Sequence, residues 1–152
     1  MAETYRIRRT GSGLTLAALE RPGLRSVTLQ LWVGAGSRWE AEGEAGAAHL
    51  LEHVVMRCTQ GYPRDGELLC LLGETGSRFW ARTALDAVTF QVQGLPENLG
   101  VALDALVEVA FAPRFDPEVI SQEVCRVRAE LAFPARGAAP PESLGASRCP
   151  RG

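Results

Sequence analysis

The chain has 152 residues, 46% of them hydrophobic and 22% charged, which is enough for one ordinary globular domain and too little for two sizeable cores. Sixteen basic against eighteen acidic residues leave a formal charge of -2, so neither nucleic acid nor an anionic membrane surface is an expected partner. No apolar run reaches the roughly 18 to 20 residues that a membrane span needs, and residues 1–13, with Glu3, Arg6, Arg8 and Arg9, lack the apolar segment of a secretory signal.

Period two opens the chain. Tyr5 and Ile7 alternate with Arg6 and Arg8, Leu14 and Leu16 follow past Gly11 and Gly13, and Val27, Leu29, Leu31 and Val33 alternate with Thr28, Gln30 and Trp32. Such alternation marks half-buried strands, and the glycines and Arg21-Pro22-Gly23 mark the turns of a β meander. Beyond Gly34 and Gly36 the pattern changes. Residues 45–56 hold no proline and mostly good helix formers, which predicts a helix. Gly61-Tyr62-Pro63 ends it, and residues 67–72 predict a shorter helix before Gly73 and Gly76. Two more strands are expected at 77–83 and 87–93, the second with Val88, Phe90 and Val92 on one face. Leu99, Leu103, Leu106 and Val109 or Ala110 then recur at helical spacing. The last helix starts with Asp116 as N-cap and Pro117 in its first turn, and carries the apolar stripe Ile120, Val124, Val127 and Leu131. From Pro134 to Gly152 the composition turns to Ala, Gly, Pro and Ser without periodicity, which predicts a disordered tail.

Cys58, Cys70, Cys125 and Cys149 are too widely spaced for a zinc knuckle or a dithiol motif, and reduced thiols in a cytoplasm are expected. The chemistry points elsewhere. His49 and His53, the two histidines of the chain, lie four residues apart on the predicted helix, so both imidazoles share one face about a turn apart and can bind one ion. Glu52 stands beside His53 and a turn from His49, placed to serve as a general base toward a water molecule at the metal. A hydrolytic zinc site takes three protein ligands and leaves the fourth position open. Glu123 and Glu130, seven residues apart on one face of the last helix, are the candidates for the third.

Residues 46–53 (GAAHLLEH) resemble the signature of the insulinase/pitrilysin family, in which a small-residue turn leads into a helix bearing an inverted His-x-x-Glu-His motif. The likeness extends to residues 31–40 (LWVGAGSRWE), similar to the family's strand and glycine turn, and to residues 58–63 (CTQGYP), similar to its Gly-Thr-x-x-Tyr-Pro with Cys58 in place of glycine. Glu130 follows His53 by 77 residues and Glu123 precedes Glu130 by seven, the family's spacings for the third ligand and its supporting glutamate. The resemblance therefore implies His49, His53 and Glu130 as metal ligands, Glu52 as catalytic base, and Glu123 as the catalytic support that orients the ligands.

On the strand that receives substrate the family commonly has Asn-Ala, where this chain has Trp80-Ala81, so these two are the implied substrate-binding residues. Main-chain pairing to an extended peptide survives the change to Trp80, whereas a side-chain amide contact does not. The resemblance covers about residues 4–133 and ends mid-domain.

The expected architecture is an α+β domain, a mostly antiparallel sheet with helices packed on one face, over residues 1–133. The expected function is zinc-dependent endopeptidase, with one zinc ion per chain, acting on peptides or protein precursors. A homologous peptidase domain or second subunit is the implied partner. The expected location of the chain is cytoplasmic, with the mitochondrial matrix as the alternative if the source is eukaryotic. The competing reading is a non-catalytic or truncated homologue serving as a subunit or scaffold of a processing peptidase.

Overall fold

A computed structural model describes residues 2–132, and the expected tail at 134–152 lies outside the described residues. The chain runs through β1 (Thr4–Arg9), β2 (Thr15–Glu20), β3 (Val27–Val33), α1 (Ala47–Val55), α2 (Glu67–Glu74), β4 (Arg78–Thr83), β5 (Val88–Gly94), α3 (Leu99–Phe111) and α4 (Pro117–Ala132), with short 3-10 turns at Ser37–Trp39 and Pro96–Asn98. All strand pairing is antiparallel, in a two-stranded sheet β1-β2 and a three-stranded sheet in the order β3-β5-β4. The fold is α+β, with the helices against one face of the larger sheet.

The opening strands depart from the expected meander. β1 and β2 form the predicted hairpin, closed by Gly13 N–H donating to Thr10 O at 3.0 Å, but β3 leaves it and pairs with β5 across Val27↔Gly94 to Val33↔Val88. Every residue of β1 and β2 is exposed, so these strands are not half-buried either. The reason lies in what covers each strand. The side of β3 that carries Leu29 and Leu31 packs against the core of helix and β5 side chains, whereas Tyr5 and Ile7 are exposed.

One core joins sheet and helices. Leu68 and Leu72 of α2, Val88, Phe90 and Val92 of β5, Ala102, Ala105, Leu106 and Val109 of α3, and Ala48 and Val55 of α1 are buried together. Burial of a Leu or Val side chain stabilises the fold by about 1.5–3 kcal/mol. The buried faces of the last two helices are rotated from the predicted stripes. On α3, which packs on β5, Leu99 and Leu103 are exposed while Ala102 and Ala105 are inside together with Leu106 and Val109. On α4 the buried residues are Val119, Glu123 and Val127, while Leu131 is exposed.

The connection from β3 to α1 is held on the turn between β4 and β5. Ser37 N–H and Arg38 N–H donate to Ala84 O and Leu85 O at 3.1 and 2.9 Å, and a Cβ at Gly36 would lie 2.4 Å from both Ala84 O and Ala87 N. No side chain fits at Gly36.

Candidate metal centre

Helix α1 starts at Gly46, whose φ of +91° is a left-handed conformation that glycine adopts without strain. Its first N–H groups are capped from a distance: the Glu40 carboxylate accepts from Gly46 N–H at 3.0 Å and from Ala48 N–H at 2.9 Å. An anion at a helix N-terminus also complements the helix dipole. These bonds, the one from Ala48 first and that from Gly46 second, hold the Glu40 carboxyl below its usual range. A depressed carboxylate stabilises the fold above its unfolded pKa and ceases to do so as pH falls through the lower folded value. Glu40→Gln is therefore expected to be less stable than the parent at pH 7, with the difference shrinking below about pH 4. Thermal melts across a pH series measure this, and a gap that stays constant with pH would exclude a role for the carboxylate charge.

α1 packs against α4 and β4, and this brings residues distant in sequence to one point. His49 Nε2 and His53 Nε2 are 3.1 Å apart, and Glu130 Oε2 lies 3.5 Å from the first and 3.6 Å from the second. Ligands held about 2.0–2.1 Å from a tetrahedral zinc stand about 3.3 Å from one another, so this triangle has the size the ion requires. The donor set fits as well: two imidazole nitrogens and one carboxylate oxygen make the three-ligand, open type of zinc site. His49 and Glu130 are partly open to solvent, while His53 is buried.

His53 is fixed from behind. Its Nδ1 lies 3.0 Å from Glu123 Oε2, and a carboxylate acceptor requires the proton on Nδ1, which leaves the Nε2 lone pair facing the cluster. Glu123 is 1% exposed, and its other oxygen takes a hydrogen bond from Arg57 Nη1. Arg57 in turn grips Asp65 through Nε and Nη2, at 2.5 Å each. That pairing lowers the Asp65 carboxyl and raises the Arg57 guanidinium from their ordinary values. Glu52, adjacent on α1 and buried, accepts a hydrogen bond from Thr83 Oγ1 of β4.

The expected metal and base residues thus gather in one place: His49, His53 and Glu130 as the cluster, Glu123 behind it, and Glu52 beside it. Trp80 and Ala81 do not join them as side chains. Ala81 packs against the core, whereas Trp80 pairs with Gln91 on the opposite face of the sheet and is 40% exposed. Three residues of the site carried no expectation: Glu40, Arg57 and Thr83. Arg57 is readable in hindsight as four residues beyond His53, and Thr83 as sharing strand parity with Ala81.

This arrangement defines a class: an α+β domain whose antiparallel sheet supports a helix bearing an inverted His-x-x-Glu-His motif. The model of the insulinase family, peptidase family M16, matches residues 15–135, and the chain belongs to that family. It is 28% identical over 132 residues to an uncharacterized zinc protease of Rickettsia bellii, covering 87% of this chain and 32% of that protein. It is 31% identical over 112 residues to the mitochondrial-processing peptidase subunit beta of Saccharomyces cerevisiae, covering 74% of this chain and 24% of that one. Among solved structures, pitrilysin superposes with a TM-score of 0.77 at 27% identity, over 86% of this chain and 14% of its own. A protease from Helicobacter pylori shares the fold at a TM-score of 0.78 and 21% identity, over 87% and 31%. The chain spans about a third or less of the length of these proteins. Among the described residues no helix is long and apolar enough to cross a membrane.

Proposed function

We propose that this chain carries the metal centre of a zinc-dependent endopeptidase that acts on peptides or protein precursors. The observation that carries the reading is the convergence of His49 Nε2, His53 Nε2 and Glu130 Oε2 within 4.8 Å, beside the buried Glu52. His49, His53 and Glu130 would hold one zinc ion through these three atoms, and the ion when bound would supply Lewis acidity toward a peptide carbonyl and a lowered pKa for water. The chain's own groups do the rest. Glu52 accepts the proton of the attacking water and delivers it to the leaving amine, with Thr83 holding its carboxylate in place. Glu123 keeps the His53 ring oriented. Among the described strands β4 pairs with β5 alone, so its second edge offers main-chain groups to an extended peptide near Trp80 and Ala81.

Since the chain spans a minor part of its relatives, the partner in this reading is a homologous peptidase domain or second subunit that completes the substrate chamber. The location in this reading is a cytoplasm, or the mitochondrial matrix if the source is eukaryotic, and a relative named as a mitochondrial-processing peptidase subunit supports the second. Metal analysis after dialysis and cleavage of a quenched fluorescent peptide library, with and without an added homologous domain, test the proposal together. About one zinc per chain and cleavage stopped by a chelator are expected. Absence of zinc overturns the proposal, and zinc binding without cleavage in either condition favours the scaffold reading.

A further inference from the structure

The loop after α1 builds a second layer behind the metal cluster. Arg57 Nη1 donates to Glu123 Oε1, its Nη2 reaches Gln122 Oε1 at 3.3 Å, and its Nε and Nη2 are gripped by the two oxygens of Asp65. Arg126 adds a more distant contact to the same Glu123 oxygen, Nη1 to Oε1 at 3.6 Å. The two Glu123 oxygens are therefore divided, one to the guanidinium and one to His53 Nδ1.

This division matters because a carboxylate turns easily about its last side-chain bond, so a single contact to His53 does not fix its plane. A guanidinium on the other oxygen does, and its own planar fork is held by Asp65. A carboxylate that is 1% exposed also needs a charged partner, since an unpaired buried anion is costly. We propose that Arg57, locked by Asp65, is a positioning residue of the metal centre: it holds Glu123 so that His53 presents Nε2 to the ion. The proposal rests on the reading of His49, His53 and Glu130 as the zinc site. It extends the chain of support by two members, Asp65 to Arg57 to Glu123 to His53.

The test is the zinc dissociation constant of the full chain, measured by competition with a chromophoric chelator, alongside thermal melts of the metal-free protein. Loss of an outer partner of a ligand typically costs about 10–100-fold in metal affinity, and Arg57→Met is expected to fall in that range. Arg57→Lys, which keeps the charge and loses the fork, is expected to recover part of the loss, and Asp65→Asn to show a smaller loss. In a Glu123→Gln background Arg57→Met should weaken zinc binding little further, since its route to the ion is already cut. Equal losses in both backgrounds would mean a general packing effect and overturn the proposal, as would wild-type affinity in Arg57→Met. Should Arg57→Met not fold, Arg57→Lys and Asp65→Asn decide, and wild-type affinity in both overturns it. A parent chain that binds no zinc instead removes the proposed function itself.

Discussion

Replacing His49 or His53 by alanine is expected to abolish stoichiometric zinc binding, but with different effects on the fold. Each change removes one of the three proposed ligand atoms, a larger loss than the roughly 10–100-fold typical of an outer partner. His49 is partly exposed and its Nε2 faces the cluster, so His49→Ala should leave the metal-free protein about as stable as the parent. His53 is different. It is 7% exposed and satisfies the buried Glu123 carboxylate, so His53→Ala strips that oxygen of its partner as well. An unsatisfied buried acceptor costs about 1–3 kcal/mol, and more when charged, which predicts a clear drop in the metal-free melting temperature. Metal analysis after dialysis and melts of metal-free protein separate the two effects. Zinc content equal to the parent's in both variants would sink the assignment of the ligands.

The second large effect separates base from ligand. Glu52→Gln is expected to keep zinc, because Glu52 stands outside the three-atom cluster, and to lose hydrolysis by about 100- to 10,000-fold, the usual contribution of a positioned proton-transfer group. Glu130→Gln is expected to lose both, since a carboxylate oxygen of the cluster is replaced by a neutral amide. Zinc content and the rate of chelator-sensitive peptide cleavage, measured in one buffer with whatever partner domain the parent needs, give the two readouts. If Glu52→Gln lost zinc as fully as Glu130→Gln, Glu52 would be a ligand, and proton transfer would have to be assigned elsewhere.

Much of this was legible in the amino-acid order because it is local. A period of 3.6 or 2 survives in the sequence of any single element, so the helices at α1, α2, α3 and α4 and the strands β3, β4 and β5 lie within a few residues of where periodicity and punctuation place them. Asp116 caps α4 as its residue type predicts, its Oδ1 accepting from Glu118 N–H at 3.0 Å. The four-residue spacing of His49 and His53 is likewise a property of one helix. Glu123 and Glu130 drew their roles from a family resemblance, since helix geometry alone left either able to be the third ligand.

Tertiary structure decided what depends on contacts between elements. Periodicity finds an apolar stripe, and on α4 it follows Ile120, Val124, Val127 and Leu131. The face turned to α1 instead contains Glu123, which a hydrophobic pattern reads as solvated. Burying that carboxylate is tolerable because His53 and Arg57, 70 and 66 residues away in sequence, meet its two oxygens. The same holds for Thr83, whose hydroxyl finds Glu52 across 31 residues, and for β3, which abandons its neighbour β2 for β5. Strand alternation assigns Trp80 and Ala81 to opposite faces, but only packing tells which face meets the helices. In each case the deciding free energy is the pairing or burial of a group by a distant partner, and no window of local sequence contains both members.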